Sequence, residues 1–310
     1  MKIAIISLGS ESSYMIARAC KKYFDKVDML DIRRIQIDTN TNGLHVYYNE
    51  KELEYYDCIY ARGSSRYAIL LRSLTTALNE KSYIPFKPET FTIGHDKFLT
   101  LLHLQKNNIP IPKTHVAATI KWAKKILDDI KYPAIIKTPA GTHGKGVMFA
   151  DSKTSAKTII DALESFKQPY IIQEFVDSNA TDVRVIVANG KVIGSMKRIA
   201  EPGDIRANIH SGGSGEKIKL TKEQESLVIK GAKIIGADIC GVDILQGVKD
   251  YIIEINLSPG VQGITKFTGI DVSDGIAKAL CEAAKEFIKN KKKSLEDAVA
   301  NQTNAKKNKD

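Results

Sequence analysis

Two short apolar runs in the last third of the chain carry polar side chains that a buried strand would not normally tolerate. Cys240-Gly-Val-Asp243-Ile-Leu245 has a carboxylate in its middle, and Tyr251-Ile-Ile-Glu254-Ile-Asn256-Leu257 has a carboxylate and an amide. Side chains alternate along a strand, so Glu254 and Asn256 share one face and Ile253, Ile255 and Leu257 the other. The runs read as a hairpin, and pairing them brings Asp243 close to both. Carboxylates in strands of this kind are costly unless something neutralises them, and they repel each other. A hard cation with oxygen ligands does so, and magnesium is the usual one where phosphates also bind. The plainer alternative is a salt bridge to a nearby Arg or Lys.

The rest of the chain alternates strand and helix, which predicts an α/β protein. Ile3–Leu8, Val27–Leu30 and Cys58–Ala61 read as strands, with helices through Met15–Tyr23 and Tyr67–Leu78 and a small hairpin at Asn42-Gly43. Alternation of this kind predicts a parallel sheet. A helix opens near Asp96 and stops before Ile109-Pro-Ile-Pro112, where proline forbids continuation. An amphipathic helix follows, with Ile120, Ala123, Ile126, Leu127 and Ile130 at helical spacing. Strands Ala134–Lys137 and Val147–Ala150 flank the loop 138–146, and a helix near 155–166 leads to strand Tyr170–Gln173. Asn189-Gly190 joins Val183–Ala188 to Lys191–Ile199 in a second hairpin. A glycine-rich segment covers 203–215. Thr221-x-x-Gln224 is a capping box opening a helix. The last helix starts near Asp274. The expected domains are 1–94, 95–182, 183–288 and a basic, poorly ordered tail over 289–310.

Charge and composition narrow the function. The net charge is +10. Seven lysines against three acids in 289–310 give the tail +4, leaving a mild +6 elsewhere. A basic tail can hold an acidic surface by counterion release, but no aromatics are interleaved there to stack on bases, which argues against direct nucleic-acid binding. No run approaches the roughly 18 apolar residues of a spanning helix, so no membrane role is expected. Cys20, Cys58, Cys240 and Cys281 form no Cys-x-x-Cys pair and no disulfide framework, which predicts a reducing, cytoplasmic location.

Two cationic elements accompany the carboxylates. Gly141-Thr142-His143-Gly144-Lys145-Gly146 does not fit the P-loop pattern and lies between two strands. Its glycines would let backbone N–H groups approach an anion, beside Lys137 at the end of its strand. Lys197, Arg198 and Arg206 bracket the second glycine-rich stretch, and Arg forks match phosphate oxygens. Each alone reads equally as a plain turn or a solvated charge. Together, a carboxylate pair for a divalent metal, a glycine loop with a lysine and an arginine pair form a phosphoryl-transfer kit. Arg62 and Arg66 follow a strand of the first lobe, where α/β sheets hold ligands. Surface charge is the alternative there.

The order of these motifs resembles the ATP-grasp ligases, and within them the RimK-like family of alpha-L-glutamate ligases, of the type that adds glutamates to a ribosomal protein. The matching segments include Asp96-Lys97, Tyr-Pro-Ala-Ile-Ile-Lys137, Gly141–Gly146, Gln173-Glu-Phe-Val176, Asp182-Val-Arg184, Met196-Lys-Arg198, Arg206-Ala-Asn208-Ile-His210, Gly241-Val-Asp243 and Glu254-Ile-Asn256-Leu-Ser-Pro-Gly260, over roughly 95–272. His143, Lys145 and Ala207 depart from common family residues.

The resemblance implies an ATP-grasp fold preceded by a Rossmann-like domain. It implies that Glu174, Phe175 and Val176 read adenine and that Asp182 takes the ribose. Lys97 and Lys137 would hold phosphates, and Gly141, Thr142, Gly144 and Gly146 would form a lid. Arg198, Arg206 and Asn208 would face the transferred phosphate. Asp243, Glu254 and Asn256 would hold two magnesium ions, with manganese as a substitute. His210 would at most contact substrate. The implied reaction turns a carboxylate into an acyl phosphate at the expense of ATP, and an amine then displaces phosphate to give an amide. L-glutamate or a similar amino acid is the expected substrate, a protein or peptide the expected acceptor, and a dimer or tetramer the expected assembly. The alternatives are a ligase of the same fold that adds glutamate to a coenzyme tail of the deazaflavin or tetrahydromethanopterin type, a ligase of lysine biosynthesis, and, more distantly, a non-catalytic RNA- or ribosome-binding module.

Overall fold

The computed structural model describes residues 1–41, 43–139, 141, 146–201 and 213–307. The chain divides into two compact units. One comprises Met1–Arg62, Ser73–Pro85 and Ser273–Asp310, the other Gly63–Arg72 and Phe86–Val272.

The first unit is built on β1 (Lys2–Ser7), α1 (Glu11–Cys20), β2 (Lys26–Asp31), β3 (Ile35–Asn40), β4 (Gly43–Tyr48), β5 (Lys51–Glu52) and β6 (Cys58–Ala61). The expected parallel sheet is present, in the order β2-β1-β6. The expected hairpin is there too, with β3 antiparallel to β4 and Asn40 opposite Gly43. Ser10 caps α1 by accepting from the Ser13 amide. Ile3, Ile5, Ile6, Ile16, Ile59 and Tyr60 are fully or almost fully buried and form its core. All four cysteines are free and buried.

Helix α2 (Ala68–Leu78) is followed by α3 (Thr90–Gly94) and α4 (Lys97–Lys106), the latter capped by Asp96 Oδ1 on the Leu99 amide at 2.8 Å. Then come β7 (Thr114–His115), α5 (Ile120–Asp129), β8 (Ala134–Lys137), β9 (Val147–Ala150), α6 (Lys153–Ser165) and β10 (Ile171–Glu174). These four strands form a sheet in the order β7-β10-β8-β9. The apolar faces of α5 and α6 cover it, with Ala123, Leu127, Ile136, Ala156, Ile160 and Ile172 in one buried cluster.

A second sheet carries β11 (Thr181–Ala188), β12 (Lys191–Ile199), β13 (Ser214–Lys217), β14 (Ile239–Gln246) and β15 (Asp250–Asn256), in the order β13-β12-β11-β14-β15. Asn189 and Gly190, both at positive φ, make the tight turn between β11 and β12. Helix α7 (Lys222–Ile235) has the expected Thr221/Gln224 capping box and packs on this sheet. Helices α8 (Gln262–Thr268) and α9 (Val272–Lys307) complete the chain. α9 runs on into the basic segment expected to be poorly ordered, as far as Lys307. That segment has seven Lys and three Ala, residues that favour helix without a packing face.

Candidate active site

The register of β14 and β15 delivers the juxtaposition the sequence predicts. Asp243 lies directly opposite Glu254, and Asn256 opposite Gly241. Asp243 is buried, whereas the Glu254 side chain is one-third exposed (33%). When the Asn256 amide is oriented to satisfy both its ends, its nitrogen donates to Glu254 Oε1 at 3.2 Å and its oxygen accepts from Arg184 Nη2 at 3.1 Å. Two carboxylates and an amide oxygen thus converge, an all-oxygen donor set of the kind a hard divalent cation takes. Among the described residues no three His, Cys, Asp or Glu side chains group in metal-holding geometry, so the third protein donor would be Asn256.

The salt-bridge alternative is realised at Asp243. Arg184 stands opposite it on β11 and grips it with both arms of its guanidinium, Nε to Oδ1 at 2.7 Å and Nη2 to Oδ2 at 2.5 Å. Arg198 Nη2 reaches the same Oδ2 at 2.9 Å and forks onto Asp182 at 2.5 and 2.7 Å. Burial opposes the charge of Asp243, but the two guanidiniums outweigh it and hold the carboxyl below the usual range. For Asp182 burial wins: it raises the carboxyl, Arg198 pulls against it and the Asp243 charge adds to it. The resemblance places Arg198 on the transferred phosphate and Asp182 on the ribose. In the structure each is buried and engaged with the other, because β11 and β12 pair them in direct register.

Two lysines approach this cluster. Lys97, the first residue of α4, donates from Nζ to the Gly141 carbonyl at 2.9 Å and lies 4.0 Å from Glu254 Oε1. Lys137, the last residue of β8, donates from Nζ to Gln173 Oε1 at 2.7 Å. Burial pushes Lys137 down to about 8, with the Lys97 charge acting the same way and Glu254 and Asp243 acting against it. The Thr138 amide donates to the Gly146 carbonyl, closing the loop between β8 and β9. Gly146 has φ +80°, and a Cβ there would fall 2.2 Å from Thr138 Oγ1, so the position demands glycine. At the expected adenine segment, Glu174 accepts from the Lys113 amide at 2.8 Å, and Phe175 meets Phe149 edge-on at 5.4 Å. Val176 packs close against Gly247.

A cleft of about 80 Å³ opens beside the cluster, with Ser64, His95, Lys97, Glu254, Asn256 and Ser258 on its walls. Ser258 donates to the Gly63 carbonyl at 3.1 Å and accepts from the Gly63 amide at 3.0 Å. His95 is held neutral by burial, its pKa lowered to about 4, and its Nε2 has no hydrogen-bond partner among the described residues.

Other expected residues fall elsewhere. Thr142, Gly144, Arg206, Asn208 and His210 lie outside the described residues. Arg62 is buried in the first unit, donating to Ser13 Oγ at 3.1 Å and to the Tyr60 hydroxyl at 3.0 Å. Arg66 belongs to the second unit, is exposed and lies 5.9 Å from the centre of the Tyr67 ring. Arg184 belongs to the Asp182-Val-Arg184 segment, and the resemblance implies no role for it. The available signal was its i+2 spacing from Asp182, which puts both on one face of β11. His95 and Ser258, next to Asp96-Lys97 and Asn256-Leu257, carried no signal beyond that adjacency.

A sequence model of the RimK-like ATP-grasp domain matches residues 94–280. The chain belongs to the RimK-like ATP-grasp family. It is an ATP-dependent ligase, and ligases of this fold use ATP and magnesium. This RimK-like chain is 35% identical over 302 residues to a probable alpha-L-glutamate ligase of Vibrio atlanticus strain LGP32, covering 92% of this chain and 97% of the relative. A probable alpha-L-glutamate ligase of Maridesulfovibrio salexigens is 32% identical over 279 residues, covering 88% and 93%. Among solved structures, the ATP-grasp ligase PsnB in complex with a phosphomimetic variant of its minimal precursor, Mg and ADP superposes with a TM-score of 0.71. Its sequence identity is 17%, and the match covers 92% of this chain and 98% of that one. That likeness establishes the fold.

Proposed function

We propose that this ligase joins L-glutamate to an amine of a protein or peptide acceptor through an acyl phosphate. The observation that carries the chemistry is the in-register set Asp243, Glu254 and Asn256 with Lys97 and Lys137 beside it. The glutamate assignment rests on the names of the most similar relatives.

Asp243, Glu254 and Asn256 fit a magnesium site by their donor chemistry, and we assign two ions to it. Bound there, magnesium would neutralise charge on the phosphoryl oxygens. Lys97 and Lys137 hold the phosphates, with Gly141 and Gly146 shaping the loop over them. Glu174, Phe175 and Val176 form the adenine edge. Arg198 is a positioning residue that keeps Asp182 and Asp243 charged and fixed. The cleft lined by Ser64, His95 and Ser258 receives the small substrate. Arg206, Asn208 and His210 keep phosphate or substrate contacts by resemblance alone, Arg66 keeps a substrate contact only by its place after a strand, and the buried Arg62 braces the first unit. A reducing cytoplasm suits the four free thiols. Among the described residues no helix is long and apolar enough to cross a membrane.

The test is phosphate release from ATP and magnesium with each of the twenty amino acids, with Glu254→Ala in parallel. Glutamate-dependent release that vanishes in the variant, with glutamate-extended products by mass spectrometry, is the expected result. Release driven by a different amino acid overturns the glutamate assignment, and release undiminished in Glu254→Ala overturns the role of the carboxylate set.

A further inference from the structure

Arg184 Nη2 touches two of the three proposed metal ligands at once. It lies 2.5 Å from Asp243 Oδ2 and 3.1 Å from the Asn256 amide oxygen. The Arg184 side chain is 19% exposed, Arg198 8% and Asp243 3%.

We propose that Arg184 is the resident counter-ion of this ligand set, and that a divalent cation binding Asp243 and Asn256 takes the place of Arg184 Nη2. The inference rests on reading Asp243, Glu254 and Asn256 as the metal ligands.

The contacts of Arg184 Nη2 itself argue for the exchange. Oδ2 of Asp243 already accepts from both Arg184 and Arg198, which uses both of its lone pairs. The Asn256 oxygen points at the same Arg184 nitrogen. A cation bound by these two oxygens would stand where the guanidinium nitrogen stands, and two like charges cannot share that position.

The structure also selects which arginine yields. Arg198 is the more deeply buried and is locked by its fork on Asp182. When Arg184 leaves, Arg198 still compensates Asp243, so the buried carboxylate is never unpaired. Arg184 has the more exposed side chain, and its described acceptors are the ligands themselves. Before metal arrives, it pairs with Asp243 and gives the Asn256 oxygen a donor, so the set is held in place. Metal entry and guanidinium release are then one event.

The test is Mn²⁺ binding to the nucleotide-free, full-length protein, followed by electron paramagnetic resonance, for the wild type, Arg184→Gln and Glu254→Gln. Lys222→Gln on α7 controls for the loss of one positive charge. Removing the competing hydrogen-bonded cation should tighten Mn²⁺ binding about tenfold or more in Arg184→Gln. Lys222→Gln should leave it unchanged. An affinity in Arg184→Gln equal to or weaker than that of the wild type, with Glu254→Gln still losing binding, overturns the exchange and spares the ligand set. Mn²⁺ binding that survives in Glu254→Gln overturns the ligand set itself. A second measurement is read on the wild-type protein, with one variant used for assignment alone. In wild-type protein labelled with ¹⁵N-arginine, Mg²⁺ should displace one Nε resonance, that of Arg184, assigned with Arg184→Lys. Arginine resonances that stay fixed at saturating Mg²⁺ overturn the proposal.

Discussion

Lys137 Nζ donates to Gln173 Oε1 over 2.7 Å, and Gln173 Nε2 donates onward to Thr114 Oγ1 over 2.8 Å. The chain Lys137–Gln173–Thr114 links three strands of one sheet, β8, β10 and β7. It orients an ammonium with a neutral amide, so the lysine's charge is left for a ligand. An amide compensates that charge less well than a carboxylate, which is why burial can lower the pKa.

The pH dependence follows, with its sign. Lys137 titrates at about 8 in the folded protein, below its ordinary value of 10.5. The charge that would hold phosphate is therefore present below about pH 8 and lost as pH rises through it. Stability moves the other way. Between about 8 and 10.5 the unfolded chain binds more protons, so this group makes folding more favourable as pH rises. kcat/KM for ATP should fall above about pH 8 in the wild type. Lys137→Arg should keep its value flat there, because guanidinium stays charged. A pH profile of kcat/KM for ATP measures both, and an identical fall in the two proteins would assign the titration to another group.

Asp243 and Glu254 face each other in the sheet, but substituting them should have unequal consequences. Asp243 is buried between two guanidiniums, and Asp243→Asn leaves them under-compensated. Breaking a buried pair of this kind costs about 3–5 kcal/mol. Glu254 is a third exposed, and among the described residues its ion-pair partner is Lys97 Nζ at 4.0 Å. Glu254→Gln should shift stability by less than about 1 kcal/mol. Both variants should lose ligation. Urea unfolding of the two proteins decides it, and equal stabilities would mean the arginine clamp contributes nothing to the fold.

Much of this arrangement is legible in the chain, and the part that is not has a physical reason. The turn at Asn189-Gly190, the box at Thr221/Gln224 and the cap at Asp96 are local chemistry, so the sequence locates them. The convergence of Asp243, Glu254 and Asn256 follows from period two and one hairpin. The partners of the arginines do not follow, because they depend on cross-strand register. Both pairings of β14 and β11 with their hairpin partners shift by a residue, between Asp243 and Ile244 and between Ile186 and Val187. No local pattern announces such a slip. Arg62 shows the same limit: an arginine after a strand looks like a ligand contact until Ser13 and Tyr60 are found around it. Strand β13 emerges from the end of a glycine-rich stretch because pairing to β12, rather than intrinsic propensity, makes it a strand.

The loop closure at Gly146 can be dissected with two substitutions. Gly146→Ala places a methyl 2.2 Å from Thr138 Oγ1 in a backbone conformation at φ +80°. The conformation alone costs about 1–2 kcal/mol for an L-residue, and the clash adds to it. Thr138→Ala removes the clashing hydroxyl and leaves the conformational cost. The double variant should therefore be more stable than the sum of the singles, by about 0.5–3 kcal/mol. Thermal unfolding of the four proteins closes the cycle. Strict additivity would show that Thr138 moves aside freely and that φ alone keeps glycine at this position.

The basic end of α9 separates enzyme from binder. Lys291 Nζ donates to the Glu80 carbonyl at 2.9 Å, and the side chains of residues 291–294 are otherwise exposed. Removing residues 290–310 deletes that contact and six of the tail's seven lysines. The candidate phosphate, adenine and metal groups all belong to the second unit, whereas the tail belongs to the first. The thermal stabilisation given by ATP with magnesium should therefore be unchanged by the truncation. Binding to an acidic peptide such as poly-glutamate should weaken, and its dependence on salt should flatten, because those lysines supply charge rather than shape. Differential scanning fluorimetry with nucleotide and a salt titration of peptide binding measure the two halves. Loss of the nucleotide response would tie the tail to the active site. An unaltered salt slope would place the acceptor's acidic contacts elsewhere on the protein.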